Sequence, residues 1–312
     1  MGAGYSTAFI LPFYEIIHSF LEKYHKSPPS LSKPMASLIS LRPDTVLFIY
    51  YIEGIIPAEQ TTELHDFVGN WVEDNFSFLF FIKPSRPQVE QLLAGFPDFT
   101  LLDEYEMTYA QWQGGAVEPI RIGRFLLNPT WIKASPGEND ISITLDAGVV
   151  FGNGAHTTTQ ACLEAMEIAC AGGKVKSALD LGCGTGILAL AAAKLGCDKV
   201  LAVDYNALAA ATTQRNVHLN NFETNILTIH GRAEEHTSIP CDLLIANIHY
   251  AVMKELIVTP GFLQQKWFIL SGLLRSEAEK VTQQLREMDV LLLKRWNQDN
   301  IWNTILGITQ QK

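Results

Sequence analysis

Asp180-Leu-Gly-Cys-Gly-Thr-Gly186 has the residue types and spacing to hold a nucleoside-like ligand, with an acid followed by glycines at every second position. Without a Cβ at 182, 184 and 186 the turn can take positive φ and lie against an adenosyl or amino-acid moiety. Asp180 can then accept from a ligand ammonium group. Asp204 ends Val200-Leu-Ala-Val-Asp, about 20 residues beyond the glycines, where an acid can accept from both hydroxyls of a ribose. Asn247 and Ile248 close Leu243-Leu-Ile-Ala-Asn-Ile. A side-chain amide and a backbone carbonyl at that point can orient an attacking amine, and positioning alone supplies much of a group-transfer rate. The other reading of Asn247 is a cap on the next helix.

The spacing G-x-G-x-G, with an acid two residues before the first glycine, departs from the G-x-G-x-x-G of a pyrophosphate cradle. It points to S-adenosylmethionine as cofactor, ahead of a nicotinamide-dependent redox enzyme. A glycine turn without a ligand leaves Asp204 unexplained. Gly231-Arg232-Ala233 falls where an adenine edge would lie, with Glu234 or Glu235 as a cap on that turn.

These residues need strand ends to position them. From Ser177 the chain alternates strands (177–181, 199–203, 226–230, 242–246, 267–271) with helices (187–195, 207–220, 251–258, 275–288), the pattern of a doubly wound sheet. The last two strands, 290–296 and 301–308, are joined by Asn297-Gln-Asp-Asn300, a connection short enough only for a hairpin. The expected fold is therefore α/β, a doubly wound seven-stranded methyltransferase sheet with an antiparallel last strand, the reversed strand lying at the sheet's edge. A smaller N-terminal α+β domain precedes it, with strands 45–52, 76–82 and 99–102 and helices 57–72 and 86–94. Its aromatics Phe48, Tyr50, Tyr51, Phe76, Phe78, Phe80 and Phe81 read as core. Residues 1–40 read as a helical extension (7–25) and linker (27–34), 41–104 as the small domain, 105–146 as a connecting region with strands 119–126 and 140–145, and 147–312 as the cofactor-binding domain.

Composition narrows the partners. With 23 Lys+Arg against 33 Asp+Glu, a formal −10, and no basic run, the chain offers nucleic acid no long-range attraction, so a basic or neutral partner is expected and nucleic acid as acceptor is the lesser reading. The five cysteines (162, 170, 183, 197, 241) form no CxxC pair and no zinc spacing, so no metal is expected and reduced thiols fit a cytoplasmic location. Cys183 would shape a pocket wall. The apolar run Ala8–Tyr14 lacks a basic leader and is broken by Pro12, and no run reaches about 18 apolar residues, so neither a secretion signal nor a membrane span is expected.

Upstream of the glycines lies Leu145-Asp-Ala-Gly-Val-Val-Phe-Gly-Asn-Gly-Ala-His-Thr-Thr-Thr159. Its Phe-Gly-x-Gly-x-His-x-Thr-Thr pattern resembles the segment that precedes the glycine loop in the methyltransferases of ribosomal protein L11, the PrmA family. Read from the residues alone, His156 is a helix-start histidine with no second metal ligand near it. The resemblance, which covers about residues 105–310, implies cofactor contacts for Phe151, Gly154, His156 and Thr158. It places Asp180, Gly182, Gly184, Gly186, Asp204 and Asn247 on cofactor and acceptor positions, with Asn247 and Ile248 as the catalytic pair. It also implies a protein N-methyltransferase acting on lysine or amino-terminal amines, with ribosomal protein L11 as candidate substrate, recognised through the amino-terminal domain. Asn153 and Thr157 stand where the family commonly has Thr and Pro, and His249-Tyr250 follow where small or aliphatic residues are usual. Those departures leave in view a methyltransferase for a different protein or a small molecule; a non-catalytic adenosylmethionine-binding module is the alternative from a different class.

Overall fold

The computed structural model describes residues 41–115 and 117–310; the helix expected over 7–25 and the linker over 27–34 lie outside them. The first sheet is built from β1 (Val46–Glu53), β2 (Phe67–Glu73), β3 (Phe76–Phe81) and β4 (Thr100–Thr108), antiparallel in the order β2-β3-β1-β4. Helix α1 (Arg86–Leu93) packs on one face, where Tyr50, Ile52, Leu79, Phe81 and Val89 form the core.

The helix expected over 57–72 does not form. Pro57 starts only a 3-10 turn, Ala58–Thr61, and Phe67-Val-Gly-Asn-Trp-Val-Glu73 is strand β2. The proline signal is real, but the β-branched and aromatic content after Asp66 prevails once β3 offers an edge to pair with. The element order is therefore strand, strand, strand, helix, strand. The expected core aromatics also divide, since Tyr50, Phe80 and Phe81 are buried while Phe48, Tyr51, Phe76 and Phe78 are half-exposed.

The short helix α2 (Tyr109–Trp112) leads into β5 (Ile120–Ile122), β6 (Phe125–Pro129) and β7 (Ile141–Leu145), a three-stranded sheet in which the single strand expected over 119–126 is instead a hairpin with Gly123 at its turn. Next comes α3 (Thr157–Cys170), of which the sequence reading marks only the start, at His156, and gives no span. Its opening run of β-branched threonines hides it, although Ala, Leu, Glu and Met dominate the rest.

The large sheet comprises β8 (Ser177–Leu181), β9 (Lys199–Asp204), β10 (Ile226–His230), β11 (Leu243–Asn247), β12 (Trp267–Leu274), β13 (Val290–Gln298) and β14 (Trp302–Thr309), in the order β10-β9-β8-β11-β12-β14-β13. Helices α4 (Ile187–Lys194) and α5 (Ala207–Leu219) join α3 on one face, while α6 (Tyr250–Leu256) and α7 (Arg275–Arg286) cover the other. Strand β14 is antiparallel to both neighbours and lies one place inside the sheet, not at its edge as expected. The hairpin passes β13 outward, so the last strand fills the gap beside β12. Strand order reverses between β8 and β11, and places a crevice at their carboxyl ends.

Candidate functional site

The glycine loop leaves β8 and enters α4. Gly182, Gly184 and Gly186 have φ of +78°, +55° and +80°, and Gly186 is the α4 N-cap. Each is also demanded by protein atoms. A Cβ on Gly182 would collide with Ile248 Cγ2, one on Gly184 would stand 2.7 Å from the Phe151 carbonyl, and one on Gly186 would meet Thr213 Cγ2 at 2.7 Å. The bare backbone therefore serves the loop's own packing as well as any ligand. Cys183 lies beneath the loop, accepting from Thr213 Oγ1 at 3.2 Å, and is buried instead of lining a pocket wall.

Asp180 is 0% exposed. One of its carboxylate oxygens accepts from Ala189 N–H at 3.0 Å, and the other has no hydrogen-bond partner among the described residues. Burial, with the Asp204 charge adding to it, pushes its pKa up to about 7. Asp204 is nearly buried, and burial raises its carboxyl too. Its two oxygens accept from Gly184 N–H and Asn206 N–H, each at 2.9 Å. The loop is thus hung on the carboxylate of the neighbouring strand, which keeps acceptor capacity that a ligand hydroxyl could take.

Residues 146–156 form a strap against this loop. Thr185 Oγ1 donates to the Gly152 carbonyl at 2.7 Å. Asn216, fully buried on α5, donates to the Asp146 and Thr185 carbonyls at 2.8 and 2.9 Å and accepts from Asp146 N–H at 2.8 Å. From α2 and the residue after it, Trp112 Nε1 and Gln113 Nε2 donate to the Val149 and Gly148 carbonyls. Asn153, one of the departures from the family pattern, donates to Gln113 and so fastens the same strap.

His156 is the N-cap of α3, its Nδ1 accepting from Thr158 N–H and lying 2.7 Å from Thr158 Oγ1. Burial lowers its pKa, and a neutral ring that accepts at Nδ1 carries its proton on Nε2. The ring stands edge-on between Phe151 (centroids 5.4 Å) and Trp302 (5.3 Å). Phe151 is 51% exposed, whereas Thr158 is buried. Gly154, at φ +90°, leaves room only for Leu127.

On the far side, Asn247 ends β11 and Ile248 follows it beside Gly272, where a Cβ would come within 2.9 Å of the Ile248 carbonyl and 3.2 Å of Asn247 Oδ1. Helix α6 starts with His249 at its N-cap and no side-chain cap, so Asn247 does not cap it. Glu234 pairs with Arg232, and the 3-10 turn at Ala233–Glu235 likewise has no side-chain cap.

The structure therefore gathers 151, 154, 180–186, 204 and 247–248 at one sheet edge, while Thr158 serves the helix start behind it. Residue spacing does not reveal Asn216, Thr185, Thr213, Trp112, Gln113 or Trp302. Only Trp302 carries a sequence signal, as the opening residue of a strand that must run opposite to the rest and so begin at the ligand edge. Among the described residues no group of His, Cys, Asp or Glu is arranged to hold a metal ion, and no helix is long and apolar enough to cross a membrane.

A sequence model of the family described as ribosomal protein L11 methyltransferase (PrmA) matches residues 98–310, more than half of the chain. The chain is 31% identical over 262 residues to the ribosomal protein L11 methyltransferase of Thermosynechococcus vestitus, covering 80% of each. It is 36% identical over 196 residues to that of Desulforamulus reducens, covering 62% of this chain and 63% of the other. The crystal structure of ribosomal protein L11 methylase from Lactobacillus delbrueckii subsp. bulgaricus superposes with a TM-score of 0.55 at 26% identity, over 62% of this chain and all of that one.

Proposed function

This chain belongs to the ribosomal protein L11 methyltransferase family, and we propose that it moves methyl groups from S-adenosylmethionine to lysine or amino-terminal amines of ribosomal protein L11. The observation that carries the reading is the strap closing on the glycine loop through Thr185 and Gly152, with Asp204 and Asn247 at the same edge.

The residues fit the cofactor. Asp180 holds a buried oxygen without a partner among the described residues, suited to an ammonium group, and Asp204 keeps acceptor capacity for ribose hydroxyls. Phe151, Gly154, His156 and the three loop glycines would form its cradle. Bound there, S-adenosylmethionine supplies an electrophilic methyl group on sulfur. The chain supplies position: the Asn247 amide oxygen and Ile248 carbonyl accept the N–H bonds of a neutral amine and aim its lone pair. His156 acts as a wall, because its Nδ1 is held by Thr158 and its Nε2 carries the proton.

A protein acceptor is also supported by the small sheet. Register places Trp71, Phe78 and Tyr51 in a row on one face, bordered by Glu53, Glu73 and Asp103, all three exposed. Tyr51 stacks on Phe78 at 4.7 Å. An aromatic row can stack nucleobases, but carboxylates beside it repel phosphates and suit a Lys-bearing protein. The five buried free cysteines accord with a cytoplasmic location, which belongs to the same proposal. Mass spectrometry of ribosomal protein L11 after incubation with the enzyme and S-adenosylmethionine tests the reading. Added multiples of a methyl mass are expected; an unchanged mass contradicts the substrate.

A further inference from the structure

We infer that Asn206, assisted by Tyr205, is a positioning residue that couples the Asp204 carboxylate to the edge of the small sheet. The inference rests on Asp204 as the ribose acceptor. Asn206 is buried and each of its polar groups has a different client. Its backbone N–H donates to Asp204 Oδ1 at 2.9 Å, its side-chain oxygen caps α5 by accepting from Leu208 N–H at 3.0 Å, and its side-chain nitrogen donates to the Val72 carbonyl at 3.0 Å. Tyr205 Oη donates to the same carbonyl at 3.1 Å.

Val72 lies on β2, the outer strand of its sheet. Two donors from the residues immediately after Asp204 therefore occupy both lone pairs of one edge carbonyl. Three residues earlier, Gly69 meets α5 so closely that a Cβ would stand 2.7 Å from Leu208 Cδ1. That approach explains a glycine inside a strand. The Tyr205 carbonyl is fixed from the other side by His230 Nε2 at 2.8 Å.

The geometry leaves Asn206 little freedom. Its amide is planar, so the oxygen that caps α5 also sets the direction of the nitrogen that reaches Val72. A ligand that fixes the Asp204 carboxylate fixes the Asn206 backbone, and through the amide it fixes β2. The coupling is reciprocal, so a seated β2 favours the Asp204 geometry that ribose needs. The sequence reading gives only the helix over 207–220 that follows Asn206, whose capping role and link to residue 72 are visible in three dimensions.

Hydrogen–deuterium exchange of residues 67–73 in the full chain, with and without S-adenosylhomocysteine, tests the coupling alongside calorimetric affinity. In the wild type the ligand should slow exchange in β2 several-fold, although Asp204 lies on another sheet. Asn206→Asp keeps the capping oxygen and backbone N–H but turns an acceptor toward the Val72 carbonyl. It should abolish the protection and weaken ligand binding about tenfold. Tyr205→Phe removes one hydroxyl from a side chain 53% exposed, so it serves even if Asn206→Asp folds poorly; it should reduce the protection and weaken binding about threefold. Ligand binding that leaves wild-type β2 exchange unchanged overturns the coupling alone, as does equal protection in the variants. A wild type that does not bind S-adenosylhomocysteine overturns the cofactor reading and this inference with it.

Discussion

The glycine loop and the strap above it face the same crevice, yet they are held in different ways. The loop is kept in place chiefly by neighbours in the sheet: Asp180 beneath it and Asp204 on the adjacent strand take its N–H groups or those of the helix it starts. The strap has no sheet pairing of its own and is carried by side chains from afar, namely Asn216 on α5, Thr185 in the loop, and Trp112 and Gln113 near α2. Short-range backbone constraints leave a spacing in the sequence. Long-range side-chain support does not, because each contributor is a single polar residue in an ordinary helix or turn.

The first way to sharpen this contrast is to vary pH. Asp180 has its pKa raised to about 7 in the folded chain, so between about pH 4 and 7 the folded state holds a proton that the unfolded state has released. Stability of the ligand-free protein therefore falls as pH rises through that window and is level above it. The fall is up to about 4 kcal/mol from a shift of about three pKa units. Urea unfolding across pH should show the full fall in the wild type and a smaller one, left by the raised Asp204 carboxyl, in Asp180→Asn; parallel curves for the two would mean that Asp180 is not the titrating group.

Gly184→Val asks whether the loop depends on its backbone. It places a β-branched residue at φ +55° with its Cβ 2.7 Å from the Phe151 carbonyl, and should cost about 3 kcal/mol. Calorimetry should also find no S-adenosylhomocysteine binding. A stable, binding-competent Gly184→Val would dissolve the contrast, because the loop would then be as tolerant as an ordinary turn.

Asn216→Ala tests the strap. It removes donors to Asp146 and Thr185 and an acceptor for Asp146 N–H, which should cost about 2 kcal/mol in thermal or chemical unfolding. Exchange should quicken in residues 146–153 while the amides of 182–184 stay protected. Equal loosening of both segments would show that they are one unit.

The same distinction explains what the sequence discloses. The large sheet is legible from 177 onward because its strands are buried apolar runs, and the hairpin at 297–300 forces an antiparallel pair. The position of β14 inside the sheet is not legible, since loop length says which strands pair and not which one ends outermost. In the small sheet Pro57 misleads, because a local start signal says nothing about the β3 edge that captures 67–73. In the site, Asp180, Asp204, Asn247 and the glycines announce themselves by position at strand ends. His156 announces a helix start, which the structure confirms, while the residues that hold the strap carry no periodicity at all.

Isothermal titration of S-adenosylhomocysteine into the wild type and Asp204→Ala bears most directly on the carboxyl edge of the sheet as the cofactor site. One ligand per chain is predicted for the wild type, with affinity falling at least about thirtyfold in the variant, roughly 2 kcal/mol for two charge-assisted hydrogen bonds. Equal affinity in the two proteins would place the ribose elsewhere and contradict the account.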